Sequence, residues 1–183
     1  MPRDLPTFSG SPADWPVFIS NFMTSTLTCG YSPAENLIRL QSSLKGAALE
    51  SVRSRLLLPA SVPQIIETLC ILYGRPELLI NALIDKVHSV PAPKAEKLES
   101  LIDFGMAVQT LCDHLEAANQ QAHLSNPSLM IELVDKLPVH IKMEWVKFME
   151  GKEEVNLKVF GEFMRGLVTS ASRVTLYWSG EQM

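Results

Sequence analysis

The sequence predicts an all-α protein, its length suiting one medium domain or two small helical lobes, and three observations carry the helical prediction. Apolar residues recur at three- and four-residue spacing along nearly all of the 183 residues, which is the period of an amphipathic helix. No stretch of five or more residues alternates cleanly with period two, as a half-buried strand does. Prolines and glycines stand singly at the starts, stops and bends of these periodic segments, where helix geometry tolerates or requires them.

The first helix follows "SGSP", where Ser11 or Asp14 is placed to cap free amides and Pro12 or Pro16 to occupy the opening turn. It stops near "TCGY", where Gly30 supplies the left-handed residue that commonly ends a helix. Its stripe, Trp15, Phe18, Ile19, Phe22 and Met23, is expected to form the core of the first lobe against Leu37, Leu44, Leu49 and Leu69, or to line a groove in it. "SPAENLIRLQSSL" opens with Ser32, Pro33 and Glu35, a capping box with proline at the first helical position. Gly46 then breaks the run, so "LKGAALESVRSRL" reads as a short separate helix. "SVPQIIETLCILYGRP" repeats the grammar, with Ser61 and Pro63 at the start and Gly74 and Pro76 at the stop.

Five further helices follow in "PELLINALIDKVHSV", "AEKLESLIDFGMAVQTLCDHLEAA", "NPSLMIELVDKL", "VHIKMEWVKFME" and "NLKVFGEFMRGLVTSASRV". Asn126 caps the third of these, with Pro127 in its first turn. The expectation is nine helices in all. Gly74, Arg75 and Pro76 break the helix pattern, as "PAPK" at 91–94 does too; the boundary is placed near 75, which gives lobes at residues 1–75 and 76–183.

Composition excludes several function classes. Apolar residues make up 46% of the chain, enough for a genuine core and against disorder. The net charge is −4, from 16 basic and 20 acidic residues, so the chain as a whole does not attract a phosphate backbone. No apolar run reaches the roughly 20 residues a bilayer span needs, and "MPRDLPTFSG" lacks the apolar centre of a signal peptide, so the expected compartment is the cytoplasm. Cys29, Cys70 and Cys112 are odd in number and sit among apolar neighbours, which points to reduced, buried thiols.

No chemistry-bearing motif accompanies the aromatic stripe. There is no "GxSxG" elbow, no "HExxH" among His88, His114, His123 and His140, and no "CxxC". The glycines form neither "GxxxxGK[ST]" nor "GxGxxG". Arg53 with Arg55, the lysines at 142, 147, 152 and 158, and the carboxylate pairs Glu132 with Asp135 and Glu153 with Glu154 all read as solvated helix faces. The expectation is a protein without catalytic residues, cofactor or metal.

The order of residues carries more than their period. "LPTFSGSPADWPVFISNF", "ENLIRLQSSLKGAALESV" and "LYGRPELLINALIDKVHSVP" together resemble the Gag capsid region of Bel/Pao long-terminal-repeat retrotransposons. Leu5, Pro6, Phe8, Gly10, Trp15, Lys45, Gly46, Ala48, Gly74, Pro76, Glu77 and Leu78 occupy that family's places over residues 5–91, and "LVDKLP" at 133–138 looks like its later element. The family is similar to Gypsy-type capsids and to the domesticated protein Arc, whose fold is two helical lobes. "EKLESLIDFGMAVQTL" departs from the retroviral major homology region, and neither a zinc knuckle nor a "D[ST]G" protease signature occurs.

The resemblance implies a structural Gag capsid protein whose partner is itself, in dimers, pentamers or hexamers, and a shell. It implies that element RNA is packaged mainly through Gag segments outside this chain, with no membrane and no small-molecule substrate. N-lobes would surround the five- and six-fold axes, and C-lobes would join neighbours by two-fold contacts. The helix after Asn126, particularly Met130 and Val134, is the expected two-fold surface, with Trp145 and Met149 as secondary candidates, although each of these residues also suits the lobe's own core. The alternative is a domesticated capsid acting as an oligomerising module, with an N-lobe groove that accepts an apolar peptide.

Overall fold

The computed structural model describes residues 2–178. Among them it forms ten α-helices, two 3-10 turns and no strand, with one isolated bridge of extended backbone between Phe8 and Leu44. The chain divides between Ala82 and Leu83 into two compact units. The helices are α1 (Trp15–Cys29), α2 (Pro33–Ser43), α3 (Gly46–Val52), α4 (Val62–Tyr73) and α5 (Pro76–Ser89). They continue as α6 (Leu98–Ala117), α7 (Gln121–Leu124), α8 (Pro127–Asp135), α9 (Val139–Met149) and α10 (Leu157–Trp178). The division falls inside α5, whereas the break between α4 and α5 lies where the sequence reading puts the joint.

Local chemistry sets the helix limits of the first unit. Pro16 occupies the opening turn of α1, and the backbone N–H of Asp14 donates to Ser11 O at 3.0 Å. No side chain caps α1, so the expected role of Ser11 or Asp14 as a side-chain cap is corrected to a backbone turn. Gly30 ends the helix at φ 64°, ψ 37°, a conformation glycine adopts without steric penalty. At α2 the capping box closes in both directions, Glu35 N–H to Ser32 Oγ at 3.2 Å and Ser32 N–H to Glu35 Oε2 at 2.7 Å. The bond from the Ser32 backbone holds the Glu35 carboxyl below its ordinary range.

An extended strap ahead of α1 completes the first core. Phe8 N–H donates to Ser43 O at 3.0 Å and Phe8 O accepts from Lys45 N–H at 2.9 Å, which seats the Phe8 ring beneath α1. Ring centroids of Trp15, Phe18 and Tyr73 lie 5.5, 5.1 and 5.4 Å from it. Each such pair adds about 0.5–1.5 kcal/mol beyond burial. Trp15, Phe18 and Phe22 are buried with Leu37, Leu40, Leu44, Ile65 and Leu69, while Ile19 and Leu49 pack at the margin. Gly74 makes room for this cluster, because a Cβ there would come within 2.6 Å of Trp15 Nε1 and 2.8 Å of Cys70 O.

In the second unit α6 and α10 pack along each other. The approach depends on glycine: a Cβ on Gly105 would stand 2.3 Å from Val168 Cγ2, and one on Gly161 2.9 Å from Cys112 Sγ. Phe104, Leu111, Leu115, Leu133, Leu157 and Phe160 are fully buried. Asn126 caps α8 by accepting from Ser128 N–H and Leu129 N–H, as its sequence position predicts. The short α7 was not expected; it follows the turn at Asn119, whose φ is 53°. Just beyond α8, Lys136 Nζ donates to the carbonyls of Val87, His88 and Val90 at 3.1, 2.7 and 3.0 Å. One ammonium thereby satisfies the carbonyls that the end of α5 leaves free.

The thiols depart from expectation in part. Cys112 is buried, but Cys29 and Cys70 are exposed. Cys29 is the last residue of α1 and Cys70 lies on the outer side of α4, so apolar neighbours in sequence did not imply burial.

Candidate functional site

Two surfaces stand out once the cores are accounted for, one in each unit. In the first unit an open apolar groove of about 430 Å³ runs along α1, α2 and the start of α4. Phe22 and Met23 come from α1, Pro33 from α2, and Pro59, Pro63 and Ile66 from the 3-10 turn and α4. Prolines lack a backbone N–H, so these walls offer few donors. Thr26, Tyr31 and Asn36 supply the polar side chains of its floor.

Behind that floor lies Arg39, only 2% exposed. Its Nε donates to Arg3 O at 2.9 Å and Nη1 to Asn36 Oδ1 at 2.8 Å; Nη2 donates to Ser25 Oγ. The guanidinium lies 4.4 Å from the centroid of the Tyr31 ring and 5.8 Å from that of Phe22. All of these partners are uncharged, and among the described residues no carboxylate pairs with it. Burial pushes its pKa down from the ordinary value, since desolvation disfavours the charged form. Burying an ion costs several kcal/mol, which neutral acceptors offset only in part.

The second surface is the outward face of α9. Val139, Met143 and Val146 are 74%, 59% and 53% exposed, and at four- and three-residue spacing they form one stripe. Lys142 and Lys147 flank it, and the five residues line a shallow apolar depression. Lys147 Nζ is bonded to Glu144 at 3.4 Å, so the rim carries both signs.

The structure sorts the residues singled out from sequence. Of the first stripe, Trp15, Phe18 and Phe22 enter the core, Ile19 packs against it, and Met23, 50% exposed, lines the groove. Trp145 is enclosed by Phe148, Phe160 and Phe163, with centroids at 6.1, 5.2 and 5.3 Å, and belongs to the core of its own unit. Met130, Val134 and Met149 are partly buried. Sequence reasoning missed Val139, Met143 and Val146, because α9 is apolar on two faces and periodicity alone does not say which one turns inward. It also missed Arg39 and Asn36, which lie three residues apart on the inner side of α2.

Among the described residues no three His, Cys, Asp or Glu side chains gather as a metal would require, and no helix is long and apolar enough to cross a membrane. A family model described as "protein of unknown function (DUF1759)" matches residues 8–154. No curated protein and no solved structure matches the chain.

Proposed function

The chain belongs to the DUF1759 family, which is found in Gag and polyprotein regions of retrotransposons, and from that premise we propose that it is the capsid-forming part of a Bel/Pao-type Gag protein. In this reading it is a structural protein without catalytic activity. It works in the cytoplasm and assembles with copies of itself into a shell around element RNA, held mainly by Gag segments outside this chain.

One observation carries the reading: α9 keeps an apolar stripe in solvent although the unit beneath it already has a filled core. Monomeric proteins leave few contiguous apolar patches without a partner. Val139, Met143 and Val146 form a stripe that a second copy running antiparallel repeats, as an isologous two-fold contact needs. Such a contact is weak alone, and a shell multiplies it, because each subunit already held by one neighbour meets the next at high effective concentration.

Sedimentation velocity over rising protein concentration and salt, with negative-stain imaging of the fast fraction, tests the proposal. Concentration-dependent dimers and closed particles are expected. A chain that stays monomeric under all these conditions overturns it.

A second reading is favoured by the first unit's groove: a capsid-derived module that captures an apolar peptide. Here the groove is the working surface and self-association serves avidity. Loss of peptide capture on filling the groove, with association unchanged, would single it out.

A further inference from the structure

We infer that the groove of the first unit takes a peptide segment that sets apolar side chains on the proline walls and a carboxylate against the Asn36 amide, in front of Arg39. The inference rests on the second reading above and specifies its partner.

Asn36 is 5% exposed and lines the groove. Its side-chain oxygen is taken twice, by Arg39 Nη1 at 2.8 Å and by Thr26 Oγ1 at 3.3 Å. That fixes the amide orientation, and among the described residues nothing accepts from its NH2 group. The fully enclosed unpartnered nitrogen in the described chain is Gln109 Nε2, so the Asn36 nitrogen is not sealed in. Asn36 lines the groove, and on this inference the nitrogen opens there. Buried donors are almost always satisfied, and one left beside an apolar channel marks where an acceptor belongs.

The sign of that acceptor follows from Arg39. Its charge is desolvated, meets only neutral oxygens and aromatic faces, and polarises the amide through the bond to Asn36 Oδ1, which strengthens the opposing N–H groups as donors. Thr26, Asn36, Tyr31 and Phe22 all touch Arg39 and all line the groove. Positive potential therefore reaches one edge of an otherwise apolar surface, and an ionised acceptor there makes a charge-assisted bond. The groove is open to solvent rather than enclosed, which suits a chain passing over it better than a sequestered small molecule. A lysine side chain at that point meets Arg39 without screening, and a neutral amide forgoes the charge term.

The test uses a random peptide library displayed on phage and panned on the whole chain. Groove binders are recognised by two independent signs: they move the Met23 methyl resonance, and they are lost on Ala60→Trp, an exposed position whose substitution fills the groove. Acidic residues should be enriched beside the apolar anchors of such binders. Replacing the acidic residue of the best binder by its amide should weaken binding about tenfold at low salt, and less as salt rises. Groove binders whose acid and amide forms bind equally overturn the inference and leave the peptide reading standing. A panning that returns no peptide able to move the Met23 resonance overturns both.

Discussion

Met143→Asp is the perturbation that bears most directly on the proposed assembly. Full burial of a methionine side chain contributes about 1.5–3 kcal/mol. Met143 is 59% exposed in the isolated chain, so a contact that covers it has ~0.9–1.8 kcal/mol of that burial still to gain. A two-fold contact uses both copies, which doubles the gain to ~1.8–3.5 kcal/mol, or a factor of about 20–300 in the dimer dissociation constant. Two aspartates facing each other across the axis add like-charge repulsion to that loss. The fold itself should scarcely respond, because exposed substitutions usually stay within about 0.5 kcal/mol. Sedimentation equilibrium reads the dissociation constant, and thermal melting by circular dichroism checks folding. A folded variant that dimerises as tightly as the parent chain refutes the placement of the two-fold contact on α9.

Four other outcomes follow from the structure. Gly74→Ala forces a Cβ to within 2.6 Å of Trp15 Nε1 and 2.8 Å of Cys70 O; an overpacking cost of about 1–3 kcal/mol should lower the melting temperature, and an unchanged melt would contradict the packing described. Lys136→Met strips the donor from three carbonyls at the end of α5, with an expected loss of about 1–3 kcal/mol in urea denaturation. Thiol titration at mild alkaline pH should find Cys29 and Cys70 fast and Cys112 slow, because desolvation first, and then Asp113 and Glu116, push the Cys112 pKa from 9.0 up to about 12. The unfolded chain ionises this thiol more readily than the folded one, so its contribution is present below about pH 9 and is lost as the pH rises toward 12. Cys112→Ala should flatten that alkaline decline, and an unaltered decline would assign it to other groups.

How much was legible in the sequence depended on how local each cause was. The capping box of α2, the glycine stop of α1 and the Asn126 cap of α8 act within a few residues, and each could be read from adjacent letters. The short α7 could not, since it depends on a single left-handed residue at Asn119. The two faces of α9 defeated periodicity for a different reason. Ile141 and Trp145 turn inward while Val139, Met143 and Val146 turn outward, and both stripes satisfy the helical period.

Asn36, Arg39 and Ser43 were harder still. They are buried polar residues on α2, and a polar residue in an amphipathic pattern is ordinarily assigned to solvent. The available signal was their spacing, which puts all three near the leucine face of Leu37, Leu40 and Leu44. The outward turn of Ile38, 59% exposed, fits the same rotation.

The strap and the end of α4 have a consequence for how this protein is made. Phe8 meets Tyr73 edge to face, and Gly74 closes against Trp15, so the strap and α1 are held by the end of α4. A polypeptide emerging from the ribosome therefore cannot finish this unit in stages. Its aromatic rings find all their partners only once the end of α4 is free to join them, and an interruption of synthesis before that point leaves Phe8 and Trp15 without part of their enclosure.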